Sequence, residues 1–95
     1  MSRRTYSANA FNLVKIATWD RWTIVPTNPF VEKIVDMLKQ DGTWNRMVEA
    51  VLEKHSKSFD EDVLSDGMPS DDTVTKILDD MKHLFNSTVT IFERY

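Results

Sequence analysis

Residues 28–40 hold the clearest structural signal in the chain, a helix with its own start and stop residues. Asn28 is suited to cap a helix, and Pro29 is suited to its first position. Gly42, just after Asp41, is typical of the turn that ends a helix. The sequence therefore predicts a helix over 29–40. Its apolar stripe is expected to comprise Phe30, Ile34, Val35, Met37 and Leu38.

A second amphipathic helix follows after a tight Asp-Gly-Thr turn. Thr43 can cap it, and apolar residues recur at helical spacing as far as Leu52. We expect this helix to fray near His55 or Ser58. The apolar face consists of Trp44, Met47, Val48, Val51 and Leu52.

Residues 11–26 are rich in β-branched and aromatic types, with partial alternation on either side of Asp20-Arg21. This composition predicts a β-hairpin. Trp19 and Trp22 flank the expected turn, so at least one of them should be partly exposed. The alternative is an amphipathic helix capped by Ser7, since four apolar residues also lie at helical spacing. Those residues are Ala10, Leu13, Val14 and Ala17.

Residues 57–69 have no sustained hydrophobic period and contain Gly67 and Pro69, so they predict an acidic loop. Phe59, Val63 and Leu64 are the side chains expected to pin this loop. Ser70 can then cap a third helix, whose first turn carries acidic residues that favour the helix dipole. Its expected buried stripe comprises Val74, Ile77, Leu78, Met81, Leu84 and Phe85. Residues 88–95 alternate again and predict a short final strand.

Together these elements predict one α+β domain over 1–95, since 95 residues are too few for two separate cores. A small antiparallel sheet, made of the hairpin and the C-terminal strand, would pack on three helices in a winged-helix-like arrangement. Residues 1–9 are expected to form a flexible N-terminal tail.

The absence of cysteine excludes disulfides, thiolate metal sites and cysteine nucleophiles. No apolar run approaches the ~20 residues that cross a bilayer, and no signal-peptide segment is found at the N-terminus. These observations predict a cytoplasmic protein that does not associate with membranes.

The chain offers little material for catalysis or for cofactor binding. Gly42 and Gly67 lie in separate turns, so they form no phosphate-binding loop. His55 and His83 lack a second ligand at metal-binding spacing, and the acidic segment fails the calcium-loop pattern in both registers tested. Neighbouring carboxylates such as Asp79 and Asp80 point about 100° apart on a helix and do not act on one bond. We expect no metal, no cofactor and no enzymatic activity.

The whole arrangement resembles the PqqD-like family, whose members recognise leader peptides during ribosomal peptide modification. The resemblance runs from about Trp22 to Phe85. Its residues are Thr27-Asn28-Pro29 before Ile34-Val35-Asp36-Met37-Leu38, then Asp41-Gly42-Thr43 before Met47-Val48 and Val51-Leu52, and the Leu-x-x-Met-x-x-Leu spacing within 72–84.

The resemblance implies that a leader peptide adds as a strand to the edge of the sheet and lies against the third helix. The edge would be Trp22, Thr23, Ile24 and Val25. The groove wall would be Lys76, Ile77, Asp80, Met81 and Leu84. Ile77, Met81 and Leu84 are equally compatible with an ordinary place in the core.

Two other functions fit the sequence. The order of elements also resembles a winged helix that binds DNA through its third helix, although the acidic third quarter of the chain makes a nucleic-acid partner less favourable. A small inhibitor or adaptor of viral, phage or mobile-element type would instead bind a host protein through its acidic face. That face comprises Asp60, Glu61, Asp62 and Asp66. The partner is expected to be a protein or peptide, and the sequence leaves a homodimer open.

Overall fold

The structure is a computed structural model that describes residues 6–16 and 21–93, with side chains to residue 89. Its elements are a 3-10 turn at Ala8–Ala10, strands β1 (Phe11–Ile16) and β2 (Arg21–Pro26), and helices α1 (Pro29–Lys39), α2 (Thr43–Lys54), α3 (Ser56–Asp66) and α4 (Asp71–Glu93). The predicted α+β class is confirmed. The described residues contain four helices, however, where the sequence predicted three.

Strands β1 and β2 form the predicted antiparallel hairpin, with a register that runs from Phe11 opposite Pro26 to Ile16 opposite Arg21. The alternative helix from Ser7 is therefore wrong, because the β-branched and aromatic residues here pack as a pleated pair. The predicted turn around Asp20, with Trp19, lies outside the described residues.

Helix α1 begins as predicted, because the Asn28 side chain accepts a hydrogen bond from the Val31 N–H at 3.0 Å. Its buried face differs from the predicted stripe. Val31, Val35 and Leu38 are buried, whereas the Phe30 and Met37 side chains are 71% and 60% exposed. Val35 and Leu38 are thus buried as predicted, but Val31 takes the place of Phe30 in the core. Phe30 and Met37 remain on the surface.

The turn between α1 and α2 is built around Gly42, whose φ of 80° is in the left-handed region that favours glycine. Gly42 occupies the N-cap position and Thr43 is the first residue of α2. The prediction that Thr43 caps this helix is therefore wrong. The Asp41 side chain accepts a hydrogen bond from the Thr43 N–H at 3.0 Å and closes the turn. Helix α2 buries four of its five predicted apolar residues: Trp44, Met47, Val48 and Val51.

The predicted acidic loop over 57–69 is wrong, because most of this segment is helix α3. No side chain of α3 is fully buried, and this explains why its sequence lacks an apolar period. Phe59 instead packs edge-on against Trp22, with ring centroids 5.6 Å apart. In its middle, α3 is attached to Ser70 through Asp62. Gly67 follows its last residue with φ of 81°.

Helix α4 begins after Ser70, as predicted, and the Ser70 hydroxyl accepts a hydrogen bond from the Thr73 N–H at 3.3 Å. The predicted final strand is wrong, because α4 continues to Glu93. Val89 is buried one turn beyond Phe85, so it extends the apolar face of the helix. The Thr88 hydroxyl donates to the Leu84 carbonyl at 2.9 Å, which satisfies this polar group within the helix.

The core is centred on Phe85, which is fully buried. Its ring makes edge-on contacts with Phe11, Tyr6 and Trp44, at centroid distances of 4.9, 5.3 and 6.3 Å. The Tyr6 main chain also exchanges two hydrogen bonds of 2.9 Å with the Asn86 side chain. Part of the predicted flexible tail, from Tyr6 onward, is therefore packed on α4.

Within the described ranges, no helix has both the length and the apolar character required to cross a membrane.

Candidate functional site

The outer edge of β2 can be derived from the pairing of the hairpin. The Thr27 N–H donates to the Ala10 carbonyl at 2.9 Å, at a position that continues the register. Hydrogen-bonded and non-hydrogen-bonded pairs alternate along an antiparallel ladder. Trp22, Ile24 and Pro26 therefore direct their main-chain groups away from β1. Pro26 has no N–H, so Trp22 and Ile24 supply the donors of this edge.

Only part of this edge is open. Ile24 is 1% exposed with its main chain included, so other parts of the fold cover its outward groups. Trp22 is half-buried and remains accessible. Thr23 and Val25 direct their main-chain groups toward β1, and their half-buried side chains lie on the opposite face of the hairpin. Of the four edge residues expected to bind a peptide strand, Trp22 is therefore the one whose main chain points outward and which is not fully buried.

A surface groove lies beside Trp22, between β2 and the corner where α2 meets α3. We call it the Trp22 groove, and its volume is about 340 Å³. The aromatic rings of Trp22 and Phe59 meet in it at an interplanar angle of 78°. The lining residues are Arg21, Trp22, Leu52, Glu53, Ser56, Phe59 and Asp60.

The charged groups of the groove have no partners among the residues that the structure describes. Arg21, Glu53 and Asp60 are exposed, and none forms an ion pair or a side-chain hydrogen bond with another residue that the structure describes. The groove thus combines an aromatic and aliphatic surface with two free carboxylates and one guanidinium.

The part of the predicted site on α4 forms no wall of the groove beside the β2 edge. Helix α4 packs mainly on α2, the 3-10 turn and β1, whereas β2 packs on β1 and α1. Ile77 and Met81 are each 0% exposed and belong to the core. Lys76 is exposed and pairs with Asp72 at 3.1 Å. The predicted groove between the β2 edge and the third helix is therefore replaced by one whose walls come from α2 and α3.

Asp80 and Leu84, the other two predicted residues on α4, line a different cleft of about 330 Å³. The Asp80 carboxylate contacts His55 Nε2 at 2.5 Å and Lys54 Nζ at 3.2 Å. The hydrogen bond from His55, followed by that from Lys54, lowers the pKa of Asp80 below its ordinary value. We call these three residues the His55 cluster. It ties the corner between α2 and α3 to α4, and the same carboxylate oxygen accepts both contacts.

The four residues of the predicted acidic face all lie on α3, but they do not share one role. Asp62 accepts hydrogen bonds from the Ser70 N–H, the Ser70 hydroxyl and the Thr73 hydroxyl, at 3.1, 2.9 and 2.5 Å. These hydrogen bonds lower the pKa of Asp62, and the bond from Thr73 has the largest effect. Asp62 therefore holds α3 against the start of α4. Asp60, Glu61 and Asp66 are exposed, and Asp60 lines the Trp22 groove.

Five lining residues were missed from the sequence as site residues: Arg21, Leu52, Glu53, Ser56 and Phe59. The available signal was Phe59, an aromatic residue in a polar segment. No group of three or more potential metal ligands occurs among the residues that the structure describes.

The Trp22 groove is suited to holding a side chain from another molecule next to the outer edge of β2. Its aromatic rings and Leu52 offer apolar contact, and its charged groups offer orientation. Comparisons of the chain with protein-family models, with curated proteins and with solved structures find no match.

Proposed function

We propose that this protein is a non-catalytic module that binds an extended segment of another polypeptide in the Trp22 groove. The observation that carries the proposal is the contact of Trp22, on the outer edge of β2, with Phe59 at the groove. Large aromatic side chains that are partly exposed in a concave site are the residues that most often dominate peptide and protein binding. The lack of cysteine suits a reducing cytoplasm, the location that we propose.

The binding mode follows from the edge geometry. A bound segment would pair with the Trp22 N–H and C=O, as in strand addition, and would place one side chain between Trp22 and Leu52. It would leave the sheet before Ile24, whose outward groups are covered. This is a shortened form of the leader-peptide recognition implied by the PqqD-like resemblance, with α2 and α3 as the wall.

The adaptor function through the acidic face uses part of the same surface. Asp60 belongs to the Trp22 groove, and Glu61 and Asp66 are exposed on the same helix. A host protein bound through this face would therefore also contact the groove. For DNA binding no comparable support exists, because Lys76 on α4 is paired with Asp72 and the stretch 88–93 is helix rather than wing.

The test is a selection of randomised displayed peptides on the immobilised protein, followed by measurement of affinity for the enriched peptides by calorimetry. Trp22→Ala and Phe59→Ala should each weaken binding by about tenfold or more, as expected for a central aromatic contact. Phe30→Ala is the matched control, since it removes an exposed aromatic ring that does not line the groove. It should leave affinity unchanged.

Two outcomes would contradict the proposal. One is a selection that enriches no peptide. The other is a set of peptides whose affinity is the same for Trp22→Ala as for the unaltered protein, which would place binding elsewhere. Circular dichroism of each variant checks that loss of binding is not loss of fold.

A further inference from the structure

We infer that the Trp22 groove selects a basic side chain, arginine above all, in the segment that it binds. The inference rests on the proposed function and specifies its ligand. It is drawn from three features of the groove lining: two free carboxylates, two aromatic rings and a single cation.

The first feature is the state of the carboxylates. Asp62 and Asp80 are held by hydrogen bonds within the fold, and Asp72 and Asp79 are paired with lysines on their own helix. Glu53 and Asp60 differ, because they line the groove without an ion pair to any described residue. They are therefore available to a cation from outside, and a charge-assisted hydrogen bond to a carboxylate is among the stronger polar contacts.

The second feature is the aromatic surface beside these carboxylates. Trp22 and Phe59 present ring surface to the groove, and a cation placed over an aromatic face is attracted by the ring electrons. The guanidinium of arginine is planar, stacks on rings and offers five donors, whereas the ammonium of lysine is compact and strongly hydrated. Leu52 supplies apolar contact for the aliphatic stem of the same side chain.

The third feature is Arg21, the one cation among the lining residues. Its guanidinium has no ion-pair partner among the described residues, so it opposes a second positive charge in the groove. Glu53 and Asp60 outnumber it, and the lining as a whole favours a cation. Removal of the Arg21 charge should therefore strengthen the binding of a basic peptide, by about twofold to fivefold for a solvent-exposed pair.

The experiment uses peptides that were enriched in a Trp22-dependent selection and that contain arginine. Replacement of that arginine by citrulline keeps the shape and removes the charge. Affinity should fall by about tenfold with citrulline and by less with lysine, and the difference between arginine and citrulline should shrink at high salt. Enriched Trp22-dependent peptides without basic residues, or equal affinity for arginine and citrulline, would overturn the inference and leave the proposed function intact.

Protein variants separate the groove from the general acidity of the chain. Glu53→Gln with Asp60→Asn should weaken the arginine peptide by about tenfold and leave the citrulline peptide unchanged. Glu61→Gln with Asp66→Asn removes the same number of charges outside the groove lining and should have little effect. Equal losses in the two double variants would show long-range attraction only and would sink the inference. The inference would also be contradicted if Arg21→Gln bound the arginine peptide more weakly than the unaltered protein does.

Discussion

The imidazole of His55 and the carboxylate of Asp80 lie 2.5 Å apart, and they join two parts of the chain separated by 25 residues. His55 stands between the last residue of α2 and the first of α3, where the chain changes direction. Asp80 lies near the middle of α4. The contact therefore fixes the corner that forms one wall of the Trp22 groove.

This contact predicts an acid-sensitive contribution to stability. The pKa of Asp80 is lowered by hydrogen bonds from His55 and then Lys54, so the folded state favours the ionised carboxylate. The contribution is present above the unfolded pKa, near 3.8, and is lost as the pH falls through the lower pKa of the folded state. Asp80→Asn should reduce the free energy of unfolding by about 1 kcal/mol at neutral pH. In urea denaturation at acid pH the difference between variant and unaltered protein should be smaller than at neutral pH, because it disappears as the pH falls below 3.8 and through the lower pKa of the folded state.

Asp36→Asn is the control for that measurement, because Asp36 is exposed on α1 and forms no ion pair with another described residue. It should leave the free energy of unfolding nearly unchanged at both pH values. A loss in Asp80→Asn that is equally large in acid would mean that the variant disturbs packing instead of removing an ionic contact.

The contact of Asp62 with the start of α4 predicts that α3 opens more easily when this contact is lost. Asp62→Ala removes the acceptor of three hydrogen bonds, and it leaves the hydroxyls of Ser70 and Thr73 without that partner. Since α3 has no fully buried side chain, its helical state depends on such contacts. Amide hydrogen exchange should become faster in α3 while the buried part of α4 stays protected. Asp66→Ala, on the same helix but outside these bonds, should leave the exchange of α3 unchanged.

The hairpin and the first two helices could be predicted because each carries a complete local signal. Asn28 and Pro29 mark the start of α1, Gly42 marks the turn, and alternation marks the strands. The stripe on α1 was displaced, because Phe30 and Val31 are both apolar and only the packing of the sheet decides which one is buried.

Helix α3 and the end of α4 could not be predicted for a different reason. Helix α3 is attached through single side chains, Phe59 and Asp62, and a helix held in this way needs no apolar stripe. In the tail, Val89 fits both an alternating pattern and a helical one. It is buried four residues after the buried Phe85, which is the spacing of a helix. The Trp22 groove was missed with α3, because its walls join β2 to a segment that the sequence indicated as loop.

We expect substitution of Phe85 to cause the largest loss of stability in the described core. Its ring is fully buried and contacts three other aromatic rings. Phe85→Ala should cost about 3 to 5 kcal/mol, because it removes buried apolar surface and leaves a cavity. Phe30→Ala, the same change at an exposed position, should cost less than about 0.5 kcal/mol. Chemical denaturation followed by circular dichroism measures both, and equal losses would contradict this assignment of the core.

The edge-on contact between Trp22 and Phe59 predicts an energetic link between β2 and α3 in the free protein. A double-mutant cycle of Trp22→Leu and Phe59→Leu isolates the coupling from the apolar area that each change removes. The coupling energy in urea denaturation should be about 0.5 to 1.5 kcal/mol, as found for aromatic pairs of this geometry. A second cycle of Trp22→Leu with Phe30→Leu serves as control and should give a coupling near zero, because Phe30 is not among the aromatic contacts of Trp22. Additive losses in the first cycle would mean that α3 is positioned by Asp62 and the His55 cluster alone, and that the aromatic wall of the Trp22 groove forms only when a ligand binds.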